Sequence, residues 1–228
     1  MTERITASGW LNLNKPRGHG SSRVVAVVKK ITGAKKVGHG GTLDPLASGV
    51  LPISINNATK QTEFLMNYSK TYLFDITFGE FKDTYDAEGA TVEKNGLVPS
   101  ENDIDSILNN FIGSVDQEPP AYSAIKINGR RACDLARSGV TVELATRKVI
   151  INDLKFIGFI NYDTARFVVD CSRGCYVRSL AVAMARILGV LGYVSKLVRL
   201  RVGNLYISNS LEVSELTLAE ITRNLIVY

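Results

Sequence analysis

The sequence predicts an α+β protein, with a mixed, mainly antiparallel central sheet and flanking helices. Two periodicities and one absence carry that expectation. Apolar side chains alternate along several separate segments, and helical spacing recurs between them. The segments follow no regular strand-helix-strand rhythm, as a parallel sheet would require.

Trp10–Asn14 reads as a short strand, stopped by Lys15-Pro16 and the glycines Gly18 and Gly20. Ser21 or Ser22 is placed to cap a helix over Arg23–Ile31, where Val24, Val27, Val28 and Ile31 fall on one face. A Gly- and Pro-punctuated loop from Val37 to Gly49 runs into apolar Val50–Ile55, and Asn57 opens a helix toward Asn67. Tyr72, Phe74, Ile76 and Phe78 alternate with Thr71, Leu73, Asp75 and Thr77, which is strand spacing with an aromatic-rich face. Ser100 and Asp103 form a capping box for a helix ending near Phe111. Further strands are expected at Tyr122–Ile127, Val149–Ile160, Arg166–Cys171 and Val194–Val202. Helices are expected at Val177–Leu188, closed by Gly189, and at Leu216–Asn224.

At 228 residues the chain has room for one large domain, or one domain with an inserted lobe. Hydrophobic residues make up 45% and charged residues 21%, a globular rather than a disordered composition. No apolar run approaches the roughly 20 residues that span a bilayer. Met1–Gly9 holds no apolar core of a secretion signal. Cys133, Cys171 and Cys175 are an odd, sparse set that fits a reducing cytoplasm better than a disulfide framework. The net charge of +5 suits a polyanionic partner but is weak evidence alone. Basic residues recur in or beside expected loops, at Lys29-Lys30, Lys35-Lys36, Arg130-Arg131, Arg147-Lys148 and Arg199/Arg201. On their own these read as solvated surface.

The densest chemical signal is the glycine-rich run Gly38–Gly49 around Asp44-Pro45. Glycines allow positive φ and close approach of a ligand, while Pro45 restricts Asp44 to an extended conformation. A carboxylate held this way serves as nucleophile, general base, metal ligand or plain turn residue. Local chemistry does not choose among these.

The longer run Lys36–Pro52 (KVGHGGTLDPLASGVLP) resembles the catalytic loop of the TruB family of tRNA pseudouridine synthases. Other segments agree in the family's order: Leu13–Gly18 with Ser21-Ser22, Ala58-Thr59-Lys60 followed by Lys70-Thr71-Tyr72, Pro119–Lys126, Cys171–Ser179 and Leu197–Gly203. The resemblance implies a pseudouridine synthase fold and isomerisation of a T-loop uridine in tRNA without cofactor or metal. It implies Asp44 as nucleophile, Arg178 as its charge partner and Tyr72 as the residue stacked on the extruded base, with stacking worth on the order of 1–3 kcal/mol. His39 then fills the space left by the flipped base, Tyr176 and Leu200 line the pocket, and Lys15 with Pro16 supports the loop on the substrate side. Each has a plainer alternative: Tyr72, Tyr176 and Leu200 as ordinary core, Arg178 as a surface or capping arginine at a helix start. The implied partner is the tRNA T-arm stem-loop, met by a cytoplasmic monomer with no membrane attachment.

Two departures stand out. The family loop often reads Gly-His-Thr-Gly-Ala-Leu-Asp, whereas Gly40 and Thr42 stand here for the threonine and alanine. Bacterial members commonly continue into a C-terminal RNA-binding (PUA) domain. Here residues 1–228 are expected to form a single catalytic domain with no such addition.

Rival chemistries find less support. One Cys-x₃-Cys pair with His39 falls short of a structural zinc site. The glycine loop lacks the Gly-Lys-Ser/Thr ending of a nucleotide-binding loop. His19 and His39 come with no Gly-x-Ser-x-Gly elbow for a serine hydrolase. The stronger alternative is a non-catalytic RNA-binding protein or tRNA-folding chaperone, against which the trio Asp44, Tyr72 and Arg178 argues.

Overall fold

Strand and helix alternate irregularly in the computed structural model, which describes residues 4–227. The chain begins with β1 (Gly9–Lys15), α1 (Ser21–Thr32), β2 (Val37–His39), β3 (Ser48–Ile55), a 3₁₀ turn over Asn56–Gln61, α2 (Thr62–Asn67) and β4 (Lys70–Phe78). It continues with β5 (Glu80–Lys82), β6 (Thr91–Lys94), α3 (Glu101–Leu108), β7 (Gly113–Gln117), β8 (Lys126–Ile127), β9 (Arg130–Arg131) and α4 (Ala132–Arg137). Then come β10 (Arg147–Phe159), β11 (Thr164–Cys171), α5 (Val177–Ile187), β12 (Gly192–Val202), β13 (Leu205–Tyr206), β14 (Leu211–Glu212) and α6 (Leu218–Arg223). The fold class is α+β and mainly antiparallel, as the sequence predicts.

The chain forms two compact units. The first joins the residues up to Tyr72 to those from Leu197 onward, and the second spans Leu73–Lys196. In the first unit β1 pairs antiparallel with β3, from Gly9 opposite Ile55 to Lys15 opposite Gly49, and parallel with β14. Two partners share the other edge of β3. Antiparallel β2 takes Ile53–Ile55, and the end of β12 runs parallel beside Ser48 and Gly49. The connection carrying Asp44 leaves the sheet between these two partners. Leu11, Leu13, Val50, Leu51, Ile53 and Ile55 are buried along this sheet, and Val24 and Val28 are the buried stripe of α1.

In the second unit β10 pairs antiparallel with β11 and β7, bulging between Ile151 and Asp153 and between Phe156 and Gly158. Phe74 stacks on Phe167 with ring centroids 5.3 Å apart. Leu180, Ala181, Met184 and Ala185 bury one side of α5. Gly192 is shaped by that packing, since an added Cβ would sit 3.1 Å from Ile76 and 3.2 Å from Ala185.

Several expectations need correction. Neither Ser21 nor Ser22 caps α1; Gly20 holds the cap position without a side-chain bond. The helix expected from Asn57 is a 3₁₀ turn over its first half. The strand expected over Tyr122–Ile127 shrinks to Lys126–Ile127, because the carbonyls of Ser123 and Ile125 accept instead from the first N–H groups of α4. The capping box on α3 forms in both directions between Ser100 and Asp103.

Candidate active site

Asp44 sits half-exposed between buried Leu43 and Leu46, and the residues on either side of it are tied down. The Leu43 N–H donates to Ser21 Oγ at 2.9 Å, and that hydroxyl donates back to the Leu43 carbonyl at 3.1 Å. This is why Ser21 does not cap its helix. The Pro45 carbonyl accepts from the Gly18 N–H at 2.7 Å and faces Lys15 Nζ at 3.5 Å. Lys15 is fully buried, and its ammonium also donates to the His19 and Pro16 carbonyls at 2.6 and 3.0 Å. Lys15 therefore joins the Pro45 carbonyl to the turn over residues 16–19. The Ala47 N–H closes a turn onto the Asp44 carbonyl at 3.1 Å.

Gly49 ends the loop at φ +104°, where an added Cβ would lie 2.2 Å from the Arg199 carbonyl oxygen. That approach lets the end of β12 lie against the loop. Arg199 Nε donates to the Val50 carbonyl at 2.7 Å and Nη2 to the Gly41 carbonyl at 3.1 Å. At 1% exposure Arg199 is not the loop-surface charge that its basic neighbourhood suggests.

His39, the last residue of β2, is half-buried. Burial first, and the Arg199 guanidinium second, hold its imidazole below the ordinary histidine range. Its Nδ1 is buried and lacks a hydrogen-bond partner among the described residues. Tyr72 on β4 is 8% exposed, and Leu200 on β12 is half-buried. Next to them, Arg201 donates to Thr71 Oγ1 and Ser69 Oγ at 3.0 and 3.2 Å. Lys15, His39, Asp44, Tyr72 and Leu200 all belong to the first unit.

Tyr176 and Arg178 belong to the second unit, at the start of α5. The Gln117 side chain accepts from the Tyr176 N–H at 2.6 Å and donates to its carbonyl at 3.1 Å, fixing the helix entry. Arg147 lies over the Tyr176 ring, 4.6 Å from its centroid, and donates to the Gly174 carbonyl. Arg178 is 3% exposed, which disposes of the surface-arginine alternative. It donates to the Thr84 carbonyl at 2.9 Å and the Tyr122 carbonyl at 3.0 Å, and lies 3.6 Å from the Asp86 carboxylate. Asp86 in turn accepts from Thr84 Oγ1 and the Glu88 N–H at 2.7 and 3.0 Å.

Sequence reasoning missed Ser21, Asp86, Gln117 and Arg199. For Arg199 a signal existed: period-2 spacing along β12 puts it on the face of buried Leu197. Cys133, Cys171 and Cys175 carry free thiols. The Cys175 thiol is held below the ordinary range by Cys171 first, then by Gln117 and Arg147. Among the described residues no three His, Cys, Asp or Glu side chains gather as a metal site would need.

Residues 29–177 match the sequence model of the TruB family pseudouridylate synthase N-terminal domain. The chain is 47% identical over 195 residues to the tRNA pseudouridine synthase B of Brucella canis, covering 86% of this chain and 60% of the relative. It is 48% identical over 196 residues to the protein of that name from Ehrlichia canis, covering 86% and 65% respectively. This chain thus spans less than two thirds of the length of these relatives. Among solved structures, a Cbf5-Nop10-Gar1 complex matches with TM-score 0.71 at 30% identity, over 91% of this chain and 53% of that one. An H/ACA RNP bound to a substrate RNA containing 2′-deoxyuridine matches with TM-score 0.68 at 27% identity, over 91% and 52%. With a family match over most of its length and relatives nearly half identical, this chain belongs to the TruB family of pseudouridylate synthases.

Proposed function

We propose that this chain isomerises a T-loop uridine of tRNA to pseudouridine, with Asp44 as nucleophile. The observation that carries the reading is the Asp44 loop: a half-exposed carboxylate whose two neighbours in sequence are both fastened by hydrogen bonds. Such fixing favours a group that must meet carbon at a set angle.

The reaction breaks the C1′–N1 bond, turns the uracil and joins C1′ to C5. C5 loses a proton and N1 gains one, so the isomerisation consumes no electrons. Asp44 attacks either the ribose C1′ or the uracil C6, and both routes satisfy this balance. The base must first leave its stack. The family resemblance implies that Tyr72 stacks on the extruded uracil and that His39, Tyr176 and Leu200 contact the nucleotide. Arg178 joins the catalytic set as the cation that favours an ionised carboxylate, a role the family resemblance implies. The burial of Arg178 and its carbonyl partners support a fixed guanidinium rather than a mobile one.

The partner is the tRNA T-arm, and the protein acts as a cytoplasmic monomer. Among the described residues no helix is long and apolar enough to cross a membrane. The test is pseudouridine formation in an unmodified tRNA transcript. Asp44→Asn should cut the rate by at least about 1,000-fold while RNA binding persists. Product forming at an unchanged rate would remove Asp44 from the mechanism. RNA refolding without product in the parent chain would favour a chaperone.

A further inference from the structure

Arg199 heads the fully buried side chains of the described residues by volume. A guanidinium taken out of water regains its lost hydration only through charge-assisted hydrogen bonds. Its hydrogen bonds go to the carbonyls of Gly41 and Val50, far from it in sequence, with 158 and 149 positions between donor and acceptor residues. Those two carbonyls bracket Asp44. The β12 backbone adds a third grip, lying parallel beside Ser48 and Gly49 at the loop's end. The same cation acts on His39 at the loop's start. A planar fork presents Nε and Nη2 to the two carbonyls in a fixed geometry, which an ammonium on a flexible stem does not pre-set.

We propose that Arg199 is a positioning residue for Asp44. By fastening both ends of the loop, its guanidinium sets the depth and angle at which the carboxylate meets a nucleotide. The inference rests on Asp44 being the nucleophile, but the fastening itself is measurable without chemistry.

The experiment compares the full chain with Arg199→Lys and Arg199→Ala. It follows amide hydrogen exchange over residues 40–50, single-turnover pseudouridine formation on a T-arm stem-loop, and the Kd for that RNA. In Arg199→Lys, exchange over 40–50 should rise about 10-fold, with β10 and β11 unchanged. The rate should fall about 100-fold, with Kd staying within about threefold. Added methylguanidinium should restore part of the rate to Arg199→Ala but none to Asp44→Asn, an effect that general stability would not produce.

A lost rate with loop exchange unchanged would overturn the proposal, as would a released loop with full rate. Faster exchange throughout both variants would assign Arg199 to general stability and overturn it equally. If the parent chain makes no pseudouridine while loop exchange responds as described, the fastening stands and the functional reading is what fails.

Discussion

Beside Asp44 the backbone is gripped, at Leu43 by Ser21 and at Pro45 by Gly18 and Lys15. At Arg178 the side chain is gripped, by the Thr84 and Tyr122 carbonyls and by Asp86. The Asp44 loop spreads its backbone fastening over anchors distant in sequence, while the Arg178 guanidinium meets Thr84, Tyr122 and Asp86 in one buried cluster.

That comparison breaks most sharply at Arg178. Arg178→Met leaves the Asp86 carboxylate buried beside a group that cannot neutralise it, and should cost roughly 3–5 kcal/mol. Urea unfolding monitored by circular dichroism checks it. A loss below about 1 kcal/mol would mean the cluster is no stronger than an exposed pair. In the loop, Gly49→Ala combines a strained φ with a Cβ driven into the Arg199 backbone, which has no side-chain freedom to yield. It should cost roughly 2–6 kcal/mol, seen in the same unfolding assay. A neutral outcome would show that the loop can slide along β12.

The smallest effect is a pH dependence at His39. Its folded pKa is depressed, so the unfolded state takes up the proton more readily. His39 therefore contributes fully above its unfolded value of about 6.5, and the contribution is lost as pH falls through that value toward the folded one. His39→Gln should flatten the change in Tm between neutral and mildly acidic pH. An equal slope in both proteins would place the acid sensitivity elsewhere.

Much of this was legible in the sequence where one residue's neighbours decide its fate. The alternation along Tyr72–Phe78 marks a strand by its local period, and Phe74, Ile76 and Phe78 are indeed buried with Tyr72, while Asp75 on the opposite face is buried as well. The α3 cap was readable because Ser100 and Asp103 satisfy each other. Elements fixed by partners were not. The strand Thr91–Lys94 is exposed throughout and exists because β5 pairs with it. The glycines and proline announced the Asp44 loop, but its fastenings come from residues remote in sequence and bland in composition. Ser21 looked like a cap, and Arg199 like one more surface charge.

The long reach of Arg199 also bears on how the protein is made. Val50 leaves the ribosome 149 residues before the guanidinium that donates to its carbonyl. A nascent chain can thus finish β1 and β3 while the loop between β2 and β3 still lacks its fastening, and loop closure over such a span is slow. The loop stays without this fastening until β12 has been made.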